Sequence, residues 1–224
     1  MATALNYNSI KKMFRKGDAN LPKFEILSYI SQSVNNNGIN PEGQELLLRV
    51  LDRKDDFMEY EEIVISLIRK YGLYPYLKNF DLSLSDEIAC EIHKPDGMNN
   101  IVFHSKQNEI YYTLIHKGNV VLSAPTSFGK SLIIDSIITS NLYNNIMIIV
   151  PSIALIDETR KRLIKFNKQY RVISFSGQSL GKRNIFVLTQ ERALDYIDRA
   201  DIDFFVIDEF YKLDIKENQD ENDN

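Results

Sequence analysis

The first hundred residues and the rest of the chain follow different rhythms of apolar and polar positions. Between Leu21 and Val34, a proline at the start precedes Phe24, Ile26, Leu27, Ile30 and Val34, which recur at helical spacing. Pro41 to Leu51 opens on Pro-Glu, which suits a first helical turn, and carries Leu46, Leu47, Val50 and Leu51 on one side. Phe57 to Tyr71 repeats the pattern with Tyr60, Ile63, Val64, Leu67 and Ile68. The run Asn35-Asn36-Asn37-Gly38 reads as a turn. Asp81 to His93 predicts a further helix, with Ser83 or Ser85 as its cap and Pro95-Asp96-Gly97 as its breaker. Residues 1–98 are therefore expected to form a small module of three or four helices.

After residue 100, short apolar runs alternate with helical stretches. Val120–Ser123, Ile146–Val150, Tyr170–Phe175, Asn184–Leu188 and Asp203–Ile207 read as strands. Lys130 to about Ser140, Ile153–Phe166 and Gln190–Tyr196 read as helices. Continuous apolar strands separated by helices imply a parallel sheet covered on both faces, so the expected fold class is α/β. In the tail, residues 214–224, Asp214, Glu217, Asp220, Glu221 and Asp223 stand against Lys216 alone. Such a segment is expected to be disordered in isolation.

Composition narrows the function classes only a little. The single cysteine, Cys90, excludes an internal disulfide, and three scattered histidines form no metal-ligand pattern. The N-terminus has no apolar stretch ahead of a cleavage site, and no run reaches 18 apolar residues. A soluble, cytoplasmic protein with no membrane partner is the expectation. The net charge of −4 argues mildly against a protein that coats nucleic acid, but not against a motor gripping a backbone through a local patch.

The sharpest motif is Ser123-Ala124-Pro125-Thr126-Ser127-Phe128-Gly129-Lys130-Ser131, between an expected strand and an expected helix. Such a loop turns successive backbone N–H groups into a concavity, and the helix N-terminus adds its unpaired donors and positive dipole end. A polyphosphate satisfies them all. Lys130 would reach the β- and γ-phosphates, Ser131 would place its hydroxyl on Mg²⁺, and Gly129 permits close approach. Ala124 stands where the general pattern has glycine. Further on, Val206-Ile207-Asp208-Glu209 closes the last expected strand with two carboxylates. Asp208 suits the Mg²⁺ that bridges the phosphates, and Glu209 suits the water that attacks them.

Together these motifs resemble the first RecA-like domain of superfamily 2 helicases, the DEAD/DEAH-box group, over about residues 100–212. Ala124 to Ser131 resembles motif I, in which alanine commonly replaces the first glycine; serine at the place of Ser127 is also seen in the Ski2-like branch. Gln107, 17 residues before Ala124, resembles the glutamine of the Q motif, which reads the adenine edge, and Phe103 is a candidate for stacking there. Pro151-Ser152-Ile153-Ala154-Leu155 resembles motif Ia, which lies along the nucleic-acid backbone. Arg160, Lys161 and Arg162 add nearby charge, although the helix they sit on reads equally as plainly amphipathic. Ser176-Gly177 resembles the short glycine element that follows, and Thr189-Gln190-Glu191-Arg192 resembles motif Ib. Asp208-Glu209-Phe210-Tyr211 resembles motif II, with Tyr211 matching neither named subgroup.

The resemblance implies ATP and Mg²⁺ as cofactors. It places ATP on Gln107, Ala124, Thr126, Ser127, Phe128, Gly129, Lys130 and Ser131. The metal falls to Ser131 and Asp208, catalysis to Lys130, Asp208 and Glu209, and contact with DNA or RNA to Pro151, Ser152, Gly177, Thr189 and Arg192. Residues 99–213 would form this domain. A helical prelude resembles the arrangement in helicases of bacterial anti-phage defence systems and offers a surface for a protein partner. A second RecA-like domain, with its arginine fingers, would have to follow Tyr211. The chain is therefore expected to be a fragment or truncated product that binds ATP weakly and unwinds nothing alone. Loss of such arginines costs about 10³- to 10⁵-fold in rate. Two other readings stay open: a P-loop ATPase with no nucleic-acid partner, and an assembly module that keeps nucleotide as a structural switch.

Overall fold

A computed structural model describes residues 5–175, 177–197 and 200–212 of the chain. They fall into two compact units, Met1–Thr139 and Ser140–Asn224. The acidic tail and Ser176 lie outside the described residues.

The first unit is helical, with α1 (Tyr7–Lys16), α2 (Lys23–Asn37), α3 (Pro41–Asp52), α4 (Glu61–Tyr71), α5 (Leu84–Ile92), α6 (Ser105–His116) and α7 (Lys130–Thr139). Local chemistry sets several of the boundaries. Asn40 accepts the N–H of Gly43 and precedes Pro41 at the start of α3, and Ser83 accepts the N–H of Asp86 at the start of α5. Gly17 and Gly72 close α1 and α4 in the left-handed conformation that side chains resist. The helices bury Ile10, Ile26, Ile30, Leu46, Leu47 and Leu77 in one core. Two ion-pair arrangements lace the outside. Glu45 of α3 gathers Tyr7, Lys11 and Arg49, and Arg69 of α4 meets the buried Asp86 of α5 at 3.1 Å.

The expected helices from Leu21 and from Pro41 are present as α2 and α3, whereas Phe57–Tyr71 is not one helix. A 3₁₀ segment, Lys54–Tyr60, buries Phe57 before α4 begins. Phe57 and Tyr60 share helical spacing with Ile63, so the apolar period alone runs the two segments together. Neither α1 nor α6 is among the expected helices. In α1, Tyr7, Met13 and Phe14 pack with the buried Ile10, and in α6 the buried residues are Gln107 and Tyr111. Asn6 caps the first.

Val120–Ser123 forms no strand, contrary to expectation, and Val121 is 86% exposed. An apolar extended run becomes a strand only when its peptide groups find a neighbouring edge. All four strands of the sheet belong to the second unit, and none among the described residues pairs with this segment.

The second unit is α/β, as expected. Strands β1 (Asn145–Ile149), β2 (Arg171–Ile173), β3 (Asn184–Leu188) and β4 (Phe204–Ile207) form a parallel sheet in the order β2-β3-β1-β4, with α8 (Ile153–Leu163) and α9 (Gln190–Ile197) between them in sequence. Central β3 is buried along its whole length, which is why it reads as an unbroken apolar run. Phe186 and Leu188 pack with Met147, Ile173, Ala193 and Tyr196. β4 lies at the edge, so Phe205 remains 59% exposed. The starts of the strands are pinned by polar side chains. Asp203 accepts the N–H groups of Asn144 and Asn145, and buried Asn184 bonds Asn145 Oδ1 and both backbone groups of Gly181.

Candidate functional site

The loop from Ala124 leads directly into the first turn of α7. Thr126–Phe128 form a single 3₁₀ turn, with Phe128 N–H donating to the Pro125 carbonyl. Gly129 follows at φ 87°, a left-handed conformation that a side chain would resist. It also lies so close to Gln107 that a Cβ there would come within 2.7 Å of Nε2. Lys130 and Ser131 then open α7, and the N–H groups of Leu132 and Ile133 donate back to the Gly129 carbonyl. The half-buried Lys130 ammonium donates to the Ala124 carbonyl at 2.9 Å, joining the end of the loop to its beginning. Thr126, Ser127 and Ser131 are exposed. The result is a short loop at a helix N-terminus with one cation and exposed hydroxyls, a set that suits an anion.

Gln107 is 6% exposed and both ends of its amide are engaged. Its Oε1 accepts the His104 N–H at 3.0 Å, and its Nε2 donates to the Phe128 carbonyl at 2.7 Å. The residue singled out 17 positions upstream is therefore hydrogen-bonded to the loop itself. Phe103 is not a stacking surface. Its ring is fully buried and meets Tyr111 edge-on, so it belongs to the core. The aromatic neighbour of this region is instead Tyr76, whose ring centroid lies 6.1 Å from that of His104. Burial holds the His104 imidazole below its ordinary pKa, against a smaller upward pull from the Gly72 carbonyl.

In the second unit the parallel register brings the other candidates to one edge. Ile149 pairs with both Leu188 and Ile207, so Pro151 and Ser152, Thr189, and Asp208 with Glu209 all follow the carboxyl ends of adjacent strands. That edge is where open α/β sheets bind ligands. Asp208 is half-buried, and its N–H extends the ladder onto Ile149. Glu209 holds φ at 49°, a conformation uncommon outside glycine and asparagine, and its carboxylate accepts Lys212 Nζ at 2.6 Å. Ser152 caps α8 by accepting the Leu155 N–H. Thr189 is nearly buried, Arg192 half-buried and Gly177 exposed at φ 91°. The Tyr211 side chain lies outside the described residues.

Sequence patterns left three contributors unmarked. Gln178 Oε1 accepts the N–H groups of Ser174 and Phe175, shaping the turn that leads to Gly177. Lys212 pairs with Glu209, and His104 supplies the N–H that Gln107 accepts. Only the spacing of Gln178 from β2 and the i, i+3 spacings of the other two could have hinted at them.

Comparison with known proteins sorts the chain along the same lines. Residues 1–87 match the model of the Anti-bacteriophage protein B N-terminal domain, and residues 104–222 match that of the DEAD/DEAH box helicase. Anti-bacteriophage protein B of Escherichia coli strain K12 is 43% identical over 175 residues, covering 76% of this chain. The chain spans 24% of that relative's length. No solved structure matches. No helix among the described residues is long and apolar enough to cross a membrane. With the loop at α7, the acidic pair at β4 and a family model that covers more than half of its length, the chain belongs to the DEAD/DEAH box helicase family.

Proposed function

We propose that this chain is the ATP-binding part of an ATP-dependent helicase or translocase that works on DNA or RNA in defence against bacteriophage. The loop from Ala124 to Ser131 carries the reading, because Gly129 and Lys130 converge at the N-terminus of a ten-residue helix. The defence role follows the name of the E. coli relative.

In this reading the loop binds the phosphates of ATP, with Lys130 leaving the Ala124 carbonyl to meet them, and Gln107 borders the base. The oxygens of Ser131 and Asp208 suit a hard cation, and these residues would hold Mg²⁺, which supplies neutralisation of phosphate charge. Glu209 accepts a proton from the attacking water, and its pairing with Lys212 orients the carboxylate. Pro151, Ser152, Gly177, Thr189 and Arg192 contact nucleic-acid phosphates. A protein partner would take the helical module.

Calorimetric titration with ATP–Mg²⁺ tests the first claim. The wild-type chain binds and Lys130→Ala loses at least tenfold in affinity; equal binding by the two would refute the phosphate role. ATP turnover by the longer polypeptide, with and without single-stranded DNA or RNA, tests the second. An unchanged rate would favour an ATPase with no nucleic-acid partner.

A further inference from the structure

The helical module and the phosphate loop belong to the same compact unit, and a short series of backbone contacts joins them. At the end of α4, Gly72 turns left-handed, and its carbonyl accepts the N–H of Ser105, the first residue of α6, at 2.9 Å. The preceding residue, His104, donates its N–H to Gln107 Oε1, and Gln107 Nε2 donates to the Phe128 carbonyl in the loop. Both ends of this series are crowded. A Cβ on Gly72 would overlap Ser105 Oγ and lie 2.7 Å from Ser105 Cβ; one on Gly129 would lie 2.7 Å from Gln107 Nε2. Neither α6 nor the loop can shift without breaking a bond to its neighbour.

A second set of contacts holds the connecting segment in place. The Phe103 N–H donates to the His93 carbonyl at 2.7 Å. Tyr111 Oη lies 3.2 Å from both the Asp96 N–H and its carboxylate. A Cβ on Gly97 would fall 2.6 Å from Thr139 Cγ2, at the end of α7. The stretch that sequence reads as a helix breaker is packed against both helices that flank the loop.

We propose that the helical module is a positioning element of the nucleotide site: Gly72 and Ser105 fix the start of α6, which holds Gln107 on the Phe128 carbonyl and so sets the loop's affinity for ATP. Gly72 and Ser105 touch no nucleotide in this scheme and act only through Gln107. The inference rests on the reading of the loop as an ATP site. Its consequence is that a ligand or partner displacing the end of α4 would change nucleotide affinity without reaching the nucleotide.

The molecule supplies its own control. Gly17 ends α1 with φ 67° and ψ 31°, and Gly72 ends α4 with φ 68° and ψ 27°. A Cβ on Gly17 meets nothing within 4 Å. Gly17→Ala and Gly72→Ala therefore carry the same backbone penalty, and only the second pushes on Ser105. ATP–Mg²⁺ is titrated into the full chain by calorimetry for wild type, Gly17→Ala, Gly72→Ala and the pair Gly72→Ala with Ser105→Gly. The expected result is affinity within twofold of wild type for Gly17→Ala, a loss of at least fivefold for Gly72→Ala, and recovery to within twofold in the pair. Equal affinities for the two alanine variants, or no recovery in the pair, would overturn the proposal.

Should Gly72→Ala fail to fold, hydrogen exchange on the wild-type chain decides. Added ATP–Mg²⁺ slows exchange at 104–107 and at 72–73 together with 124–131 if the proposal holds. Protection confined to 124–131 would overturn it. A wild-type chain that binds no ATP sinks the ATP reading, whereas binding with indifferent Gly72→Ala sinks only the coupling.

Discussion

Replacing Gln107 separates its two hydrogen bonds, because leucine and glutamate fail there in different ways. Leucine keeps the approximate volume but leaves the His104 N–H without its acceptor and the Phe128 carbonyl without its donor. The site is 6% exposed, so water replaces neither partner freely. Each lost bond costs about 1 kcal/mol, and a stranded buried group raises that to about 1–3 kcal/mol. Gln107→Leu should therefore destabilise the unit by about 2–6 kcal/mol, or roughly 3 °C in Tm for each kcal/mol. Glutamate still accepts from His104 but sets a second oxygen against the Phe128 carbonyl. It should retain the start of α6 and release the loop. Thermal unfolding by circular dichroism gives the stability loss, and hydrogen exchange resolves where it falls. Gln107→Leu is expected to speed exchange across 104–108 and 126–130, and Gln107→Glu across 126–130 alone. A Gln107→Leu chain that melts with wild type and exchanges like it would refute any role for Gln107 in holding the loop.

Two further perturbations test the helical unit. A Cβ on Gly43 would overlap Tyr71 Oη and lie 2.9 Å from its Cζ, and Tyr71 is only 4% exposed. Gly43→Ala should then cost about 1–3 kcal/mol by overpacking, measurable in urea; an unchanged midpoint would show that the α3 to α4 contact yields without cost. The half-buried His104 takes up a proton less readily than it does in the unfolded chain, because partial burial lowers its pKa from the ordinary 6.5. Its contribution is complete above that value and is lost as the pH falls below it, so Tm should decline as the pH falls from 6.5, a slope that His104→Gln removes. Glu45, held at about 2 by Tyr7, Arg49 and Lys11, contributes in the same direction but only below its ordinary 4.5. A slope between pH 6.5 and 4.5 that survives His104→Gln would exclude the histidine as its source.

The parts of this molecule that sequence makes legible are those whose chemistry is local. The helix start at Pro41, the strand Asn184–Leu188 and the loop ahead of Lys130 each depend on residues within a few positions of one another. What sequence obscured depends on partners far along the chain. Val120–Ser123 has the composition of a strand and no edge to join in its own unit, while α6 buries the polar Gln107 beside Tyr111. Phe103 and Gln107 show the same limit from two sides. Both stand at plausible spacing from the loop, yet Phe103 is spent in the core, and Gln107 is tied to the loop through the carbonyl of Phe128. Spacing along the chain identifies which residues can approach a site, and it is silent on which atom each presents. Gly72 is the limiting case: it matches no motif, and its part in the unit rests on one carbonyl and on the side chain it lacks.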